Sequence, residues 1–290
     1  TTTFSNRNLK GLHLFPELFL TGYPLQDLVL QKSFIDDYQA FLEDLSAWSI
    51  QQLKSQEPLA LIMGGLSYQF DTFGLPSQIE NVLFLLEPGQ KIRPIYSKQL
   101  LPNYDLYEEK KYFTPGPGPS LFRFEGCNIG LLICEDMWFS HLHDSDPVEQ
   151  LKDHFETINA NCDLVINLSA SPYHLGKFDQ RVQRALEISK YLKAPFAYVN
   201  RVAGEDEILF DGRSFVVDGQ GIIAMGQAFK SDFLSLPLPL YKGTPSRTPL
   251  SSMANSWSTL FSTRLSSDTT SLLPLTDFEC EEILEALILA

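Results

Sequence analysis

Short apolar runs recur along this chain, and each breaks off at a turn former or a polar residue. Leu12 to Phe15 is closed by Pro16. Leu59 to Leu66 reads as a buried strand ending in Gly64-Gly65, and Asn81 to Leu86 as another, closed by Pro88-Gly89, with Ile92 to Ile95 as its partner. Leu121 to Phe124 and Asn128 to Cys134 have the form of a hairpin. Leu164 to Leu168 and Phe196 to Val199 are further buried strands, and Ser214 to Gly219 opens another hairpin. Helical patterns lie between these runs. In Leu28 to Trp48, Leu28, Phe34, Ile35, Tyr38, Phe41, Leu42 and Leu45 share one face; Val148 to Ala160 and Lys177 to Leu192 are the other two. Pro115-Gly116-Pro117-Gly118-Pro119 can only be loop. Strands alternating with helices predict a layered α/β fold.

At 290 residues the chain has room for one large α/β domain or two smaller ones. It is 44% hydrophobic and 20% charged, the range of a soluble globular enzyme. The net charge of -14 argues against nucleic acid as a partner, because phosphate neutralisation needs clustered Lys and Arg. The densest basic spots are only Lys110-Lys111 and Lys190 to Lys193. Four cysteines without a CxxC pair (Cys127, Cys134, Cys162, Cys280) read as free thiols rather than a disulfide scaffold. No apolar run reaches the roughly 18 residues of a membrane span, and Thr1 to Asn8 has no signal-peptide core. A cytoplasmic location without membrane association is the expectation.

Composition shifts near Leu240. Residues 241 to 275, rich in Ser, Thr and Pro, read as a linker or extended arm. Thr276-Asp277-Phe278-Glu279 has the form of a capping box, with Ile283, Leu284, Leu287 and Ile288 making an apolar helical face behind it. The helix starts well and reaches Ala290 without a cap, so more protein is expected to follow.

The chemistry concentrates in Gly130-Leu131-Leu132-Ile133-Cys134-Glu135-Asp136-Met137-Trp138. A thiol at the end of a buried strand is held firmly, yet its acidic neighbours oppose a thiolate. It needs a base and an oxyanion-stabilising group from elsewhere. The histidines (His13, His141, His143, His154, His174) stand in no familiar Cys/His signature, and no G-x-S-x-G elbow exists. His141 and His143 read as a polar loop rather than a metal site, so no metal is expected. Glutamate and lysine can fill the vacant roles, and Phe15-Pro16-Glu17-Leu18 and Tyr96-Ser97-Lys98-Gln99 offer one of each. A partly buried glutamate can take the thiol proton, and a fixed ammonium, with the peptide N–H after the cysteine, can hold the oxyanion.

These segments in the order Glu, Lys, Cys resemble the three motifs of the nitrilase (carbon–nitrogen hydrolase) superfamily. The run Thr21-Gly22-Tyr23-Pro24-Leu25-Gln26-Asp27-Leu28 is similar to one branch, the glutaminase domain of glutamine-dependent NAD synthetases. So are Leu101 to Tyr104 with Glu109 to Gly116, the Asn167 to Tyr173 turn, and Val199 to Val202 with Phe210-Asp211-Gly212. The resemblance covers residues 11 to 235 and the helix from 276. It implies a four-layer α-β-β-α sandwich that hydrolyses the glutamine side-chain amide. Cys134 would be the nucleophile, Glu17 the general base, Lys98 the oxyanion cation and Glu109 an accessory glutamate. Tyr23, Tyr104, Ser171 and Lys177 would line the glutamine pocket. The implied course is thiol attack, loss of ammonia, a γ-glutamyl thioester, and hydrolysis to glutamate.

The resemblance also implies a domain plan: 1 to 240 glutaminase, 241 to 275 linker, 276 to 290 the start of a synthetase domain. That domain would accept the ammonia and amidate deamido-NAD. The glutaminase step would need no cofactor; ATP and Mg2+ belong to the synthetase domain, whose Ser-Gly-Gly phosphate loop is not in this sequence. The family places a strand and a long helix before the Pro-Glu motif, so the N-terminus of this chain is expected to be a shortened one. A homo-oligomer is implied, with Trp257, Phe261 and Leu265 as interface candidates. Two other readings remain open: a free-standing nitrilase-family amidase with a different substrate, and a non-catalytic assembly domain.

Overall fold

A computed structural model describes residues 10–53, 55, 57–104, 107–138, 145–237 and 276–289. The first sheet has four strands, β1 (Gly11–Leu14), β2 (Leu59–Phe70), β3 (Pro76–Leu86) and β4 (Arg93–Ser97), in that spatial order. Strands β1 and β2 are parallel, and the other pairs antiparallel. The second sheet is built from β5 (Leu121–Phe124), β6 (Cys127–Ile133), β7 (Leu164–Ser169) and β8 (Phe196–Asn200). After the separate hairpin β9 (Val202–Glu205) and β10 (Ile208–Asp211), it is completed by β11 (Phe215–Asp218) and β12 (Gly221–Met225). Its order is β12-β11-β8-β7-β6-β5, with β6, β7 and β8 parallel at its centre.

Side-chain alternation explains why the apolar runs have no polar face. Ile129, Leu131 and Ile133 of β6 point between the sheets and meet Ile62, Leu83 and Leu85 of the first sheet. Leu132 points the other way, into a layer with Leu151 and Phe155 of α3 (Pro147–Thr157) and Val182, Ala185 and Leu186 of α4 (Lys177–Leu192). On the far side, Leu61, Met63 and Phe84 meet Leu42, Leu45 and Trp48 of α1 (Lys32–Gln51). The layers run α1, first sheet, second sheet, α3 with α4: the α-β-β-α sandwich. All four cysteines are free.

Strand β2 does not end at Gly64-Gly65; it runs through both glycines to Phe70. A Cβ on Gly64 would lie 2.3 Å from the backbone nitrogen of Leu18, so this glycine makes room for the loop that carries Glu17. Phe41 is 45% exposed, so the buried stripe of α1 is narrower than the spacing predicts. The β9–β10 hairpin and the single-turn helix α2 (Glu109–Tyr112) have no counterpart in the periodicity. The capping box is present in α5 (Asp277–Leu289): Thr276 N donates to Glu279 Oε2 at 2.8 Å, and Glu279 N donates to Thr276 Oγ1 at 3.3 Å. Its apolar stripe faces outward, with Leu284, Leu287 and Ile288 exposed. The docked face is acidic, and Glu282 meets Arg213 at 3.0 Å. The 241 to 275 arm, with Trp257, Phe261 and Leu265, lies outside the described residues, as do His141 and His143.

Candidate active site

Three strand ends bring the site together. Glu17 lies in the turn after β1, which is stitched to β2 by Gly64 N to Pro16 O (3.1 Å) and Leu20 N to Gly64 O (3.1 Å). Its carboxylate is 1% exposed. Oε1 accepts from Lys98 Nζ and from Asn81 Nδ2, both at 2.8 Å, and Oε2 accepts from Ala170 N at 2.8 Å. Lys98 follows β4, its N–H bonded to Asn81 O (2.8 Å) and its carbonyl to Gly116 N (2.7 Å). The ammonium, also 1% exposed, stands 2.8 Å from Glu17 and 2.8 Å from Glu109. Tyr23 completes this side by donating its hydroxyl to Glu109 Oε1 at 3.1 Å.

Cys134 directly follows β6 and opens a 3-10 turn, Cys134–Met137. Its φ of 42° is in the left-handed region, a conformation that a residue with a Cβ adopts only where its surroundings hold it. The thiol is buried, and that burial pushes its pKa well above the ordinary cysteine value. Glu17, Glu135 and Glu109 push it further, and only Lys98 pulls strongly the other way. A thiol raised in this way needs a base to take its proton before it can act as a nucleophile. Burial alone would lower the Lys98 pKa, but the facing carboxylates of Glu109 and Glu17 hold it well above the usual lysine value. Glu109 moves up from the usual carboxylate range because burial outweighs the pull of Lys98.

The remaining sequence candidates sit around this centre in two groups. The Tyr104 hydroxyl, on a half-exposed ring, donates to Glu135 Oε2 at 2.9 Å beside Cys134. Lys177 opens α4 and places its ammonium 4.7 Å from the ring centre of Trp138, just past the cysteine turn. Burial and the nearby Arg181 lower its pKa. Ser171 is buried, its N–H donating to Asn200 Oδ1 (2.9 Å) and its hydroxyl accepting from Arg181 Nε (3.2 Å). Arg181 is itself fully buried and bonded to Asp211 at 2.7 Å.

The structure adds roles for Asn81 and Arg181, which lie outside the quoted motifs, and for Asp136 and Asn167, which lie inside them but carry no role from sequence. Asn81 orients Glu17. Asn167 Nδ2 lies under the cysteine turn, 3.4 Å from the Cys134 carbonyl and 3.0 Å from Met137 Sδ. Asn167 is the lone amide in the buried strand β7, a signal the sequence carries, whereas Asn81 follows the polar half of β3 and has no such signal. A cavity of about 280 Å³ lies against Tyr23 and Glu109, walled by Leu18, Leu25, Glu108 and Phe113. A larger one of about 350 Å³, between the edge of β1 and strands β8 and β11, touches none of the catalytic candidates. Among the described residues no cluster of three or more His, Cys, Asp or Glu side chains is arranged to hold a metal ion.

The family model for carbon–nitrogen hydrolases matches residues 11–235. The glutamine-dependent NAD(+) synthetase of Synechocystis sp. is 34% identical over 245 residues, 83% of this chain and 42% of that protein. Among solved structures, a glutamine-dependent NAD+ synthetase from Acinetobacter baumannii superimposes with a TM-score of 0.61 at 32% identity, covering 76% of this chain and 38% of that one. The carbon-nitrogen hydrolase of Helicobacter pylori G27 has the same fold, with a TM-score of 0.57 at 22% identity over 76% of this chain and 75% of its own. This chain thus spans less than half the length of the NAD synthetases it matches.

Proposed function

Because the chain belongs to the carbon–nitrogen hydrolase family, we propose that it hydrolyses the side-chain amide of glutamine and supplies ammonia to an NAD synthetase domain. The observation that carries this reading is the buried ammonium of Lys98, shared at 2.8 Å by Glu17 and Glu109. As Cys134 Sγ attacks the amide carbon, its proton passes to Glu17. Lys98 and the peptide N–H after Cys134 stabilise the oxyanion, a contribution usually worth about 3 to 4 kcal/mol per donor. Glu17 returns the proton to the leaving nitrogen, and ammonia departs from a γ-glutamyl thioester. A water gives its proton to Glu17 and its hydroxide to the acyl carbon; collapse frees glutamate and restores the thiol.

Glu109, held by Tyr23, fixes the second side of the Lys98 ammonium. Tyr104, Ser171 and Lys177 are assigned to the amino-acid end of glutamine, with Lys177 offering a cation to its carboxylate. Residues 1 to 240 form the catalytic unit in this reading. The longer relatives are glutamine-dependent NAD(+) synthetases, which supports a synthetase domain as the consumer of the ammonia; in this reading ATP and Mg2+ belong to that domain. The test is ammonia and glutamate release from glutamine by the 290-residue chain and by Cys134→Ala. The wild type is expected to turn over with a mass increase of one γ-glutamyl group on Cys134 after acid quench, and the variant to release no ammonia. Turnover of simple amides but not glutamine would move the assignment to a free-standing amidase. Equal turnover by both proteins would remove the nucleophile.

A further inference from the structure

Asp136 is fully buried, and its carboxylate receives four hydrogen bonds. Oδ1 accepts from the N–H of Gln99 at 3.0 Å and of Leu100 at 2.8 Å, the two residues after Lys98. Oδ2 accepts from the Tyr96 hydroxyl at 2.7 Å, two residues before Lys98, and from the N–H of Ile133 at 3.0 Å, the residue before Cys134. The two segments belong to different sheets, the end of β4 and the end of β6. Hydrophobic contact between those sheets is non-directional and does not by itself set how an ammonium on one approaches a thiol on the other. A carboxylate bonded to both ends does.

We propose that Asp136 is a positioning residue: it pins the Lys98 end of β4 to the Cys134 turn and so sets the approach of the ammonium to the sulfur and to the oxyanion. The inference rests on the reading of Lys98 as the oxyanion cation. Asp136 acts through its neighbours, and all four of its partners are donors. An asparagine there keeps the acceptor for Gln99 and Leu100 but turns an amide N–H toward the N–H of Ile133.

The charged groups acting on the thiol are Glu17, Glu135 and Glu109 on one side, and Lys98, Lys177 and Arg181 on the other. The phenols of Tyr23, Tyr104, Tyr107 and Tyr198 are electrostatically coupled to the same thiol. Removing the negative charge of Asp136 would by itself make the thiol easier to ionise. Letting Lys98 drift away would make it harder. The two effects have opposite signs, so the direction of the change separates positioning from charge.

The experiment compares wild type with Asp136→Asn in the full chain. The first readout is the pH dependence of Cys134 alkylation by iodoacetamide, followed on the Cys134 peptide by mass spectrometry. The second is the kcat and KM for glutamine. The alkylation profile is expected to move to higher pH, with kcat down about a hundredfold and KM changed by less than about threefold. A profile that stays in place or moves to lower pH overturns the proposal. Should Asp136→Asn fail to fold, Tyr96→Phe removes one of the four bonds and keeps the carboxylate; a smaller shift in the same direction supports the proposal, and an unmoved profile overturns it. Alkylation uses no glutamine, so a wild type inert toward glutamine would sink the glutaminase reading while the alkylation profile still decides the role of Asp136.

Discussion

The protein holds two buried ion networks, around Arg181 and around Lys98, and they are built on different plans. Around Arg181 one guanidinium meets one carboxylate, Asp211, and its other N–H groups go to Ser171 Oγ and to the carbonyls of Ser171 and Pro172. Around Lys98 one ammonium faces two carboxylates. The first network is balanced; the second carries an acid in excess, and Glu109 holds a proton more readily than an ordinary glutamate does. A balanced pair fixes backbone. An unbalanced one keeps a proton near the reacting atoms and leaves the cation able to answer a new negative charge, such as an oxyanion.

Removing the guanidinium of Arg181 is the largest way to break this contrast. Arg181→Met strands the buried Asp211 carboxylate, a situation that typically costs about 3 to 5 kcal/mol. Denaturant unfolding is expected to show that loss. Arg181→Met/Asp211→Asn is expected to be more stable than the single variant, because no charge is left unpaired and the Asn200 side chain still has an acceptor at position 211. A single variant that unfolds like wild type would mean that the two networks do not differ in this way.

Lys98→Met comes next, and it acts on rate. Losing an oxyanion-stabilising group typically costs about 3 to 4 kcal/mol, so glutamine turnover should fall at least about a hundredfold. Stability should respond less sharply than to Arg181→Met, because Glu109 already takes up protons readily and can neutralise itself. A folded Lys98→Met with wild-type turnover would return Lys98 to a structural role and make the two networks alike.

How much of this can be read from sequence depends on the range of the interaction. Helix α4 and the Thr276–Glu279 capping box are legible because their signals are local: spacing along one face, and a hydroxyl three residues before a carboxylate. The Glu17, Lys98 and Cys134 motifs are legible because each has its own strand-end context. Gly64 misleads, since a glycine inside a strand reads as a stop, whereas here it is a point of close approach to Leu18. The stripe on α5 misleads for the opposite reason: its apolar residues are real, but Glu282 and Arg213 decide which face docks. Asp136 stands two residues past Cys134, yet its partners at 96, 99 and 100 come from another sheet. Nothing local announces such a bond. Glu109 is named only through the family motif; that it folds back onto the Lys98 ammonium and leaves an acid in excess is a contact no local pattern announces.

The smallest consequence of that excess acid is a slope of stability against pH. Burial raises the Glu109 pKa in the folded protein above the unfolded carboxylate value of about 4.3. Between those two values the folded state binds more protons than the unfolded state, so stability falls as pH rises through that window. Glu109→Gln removes the titrating group and nearly keeps its shape. The difference in unfolding free energy between wild type and variant should therefore change steadily from about pH 4 toward neutrality, wild type losing ground as Glu109 ionises. Arg181→Met/Asp211→Asn, measured over the same range, leaves Glu109 in place and should retain the slope. If Glu109→Gln keeps the slope as well, the surplus proton does not sit on Glu109, and the contrast between the two networks fails at that residue.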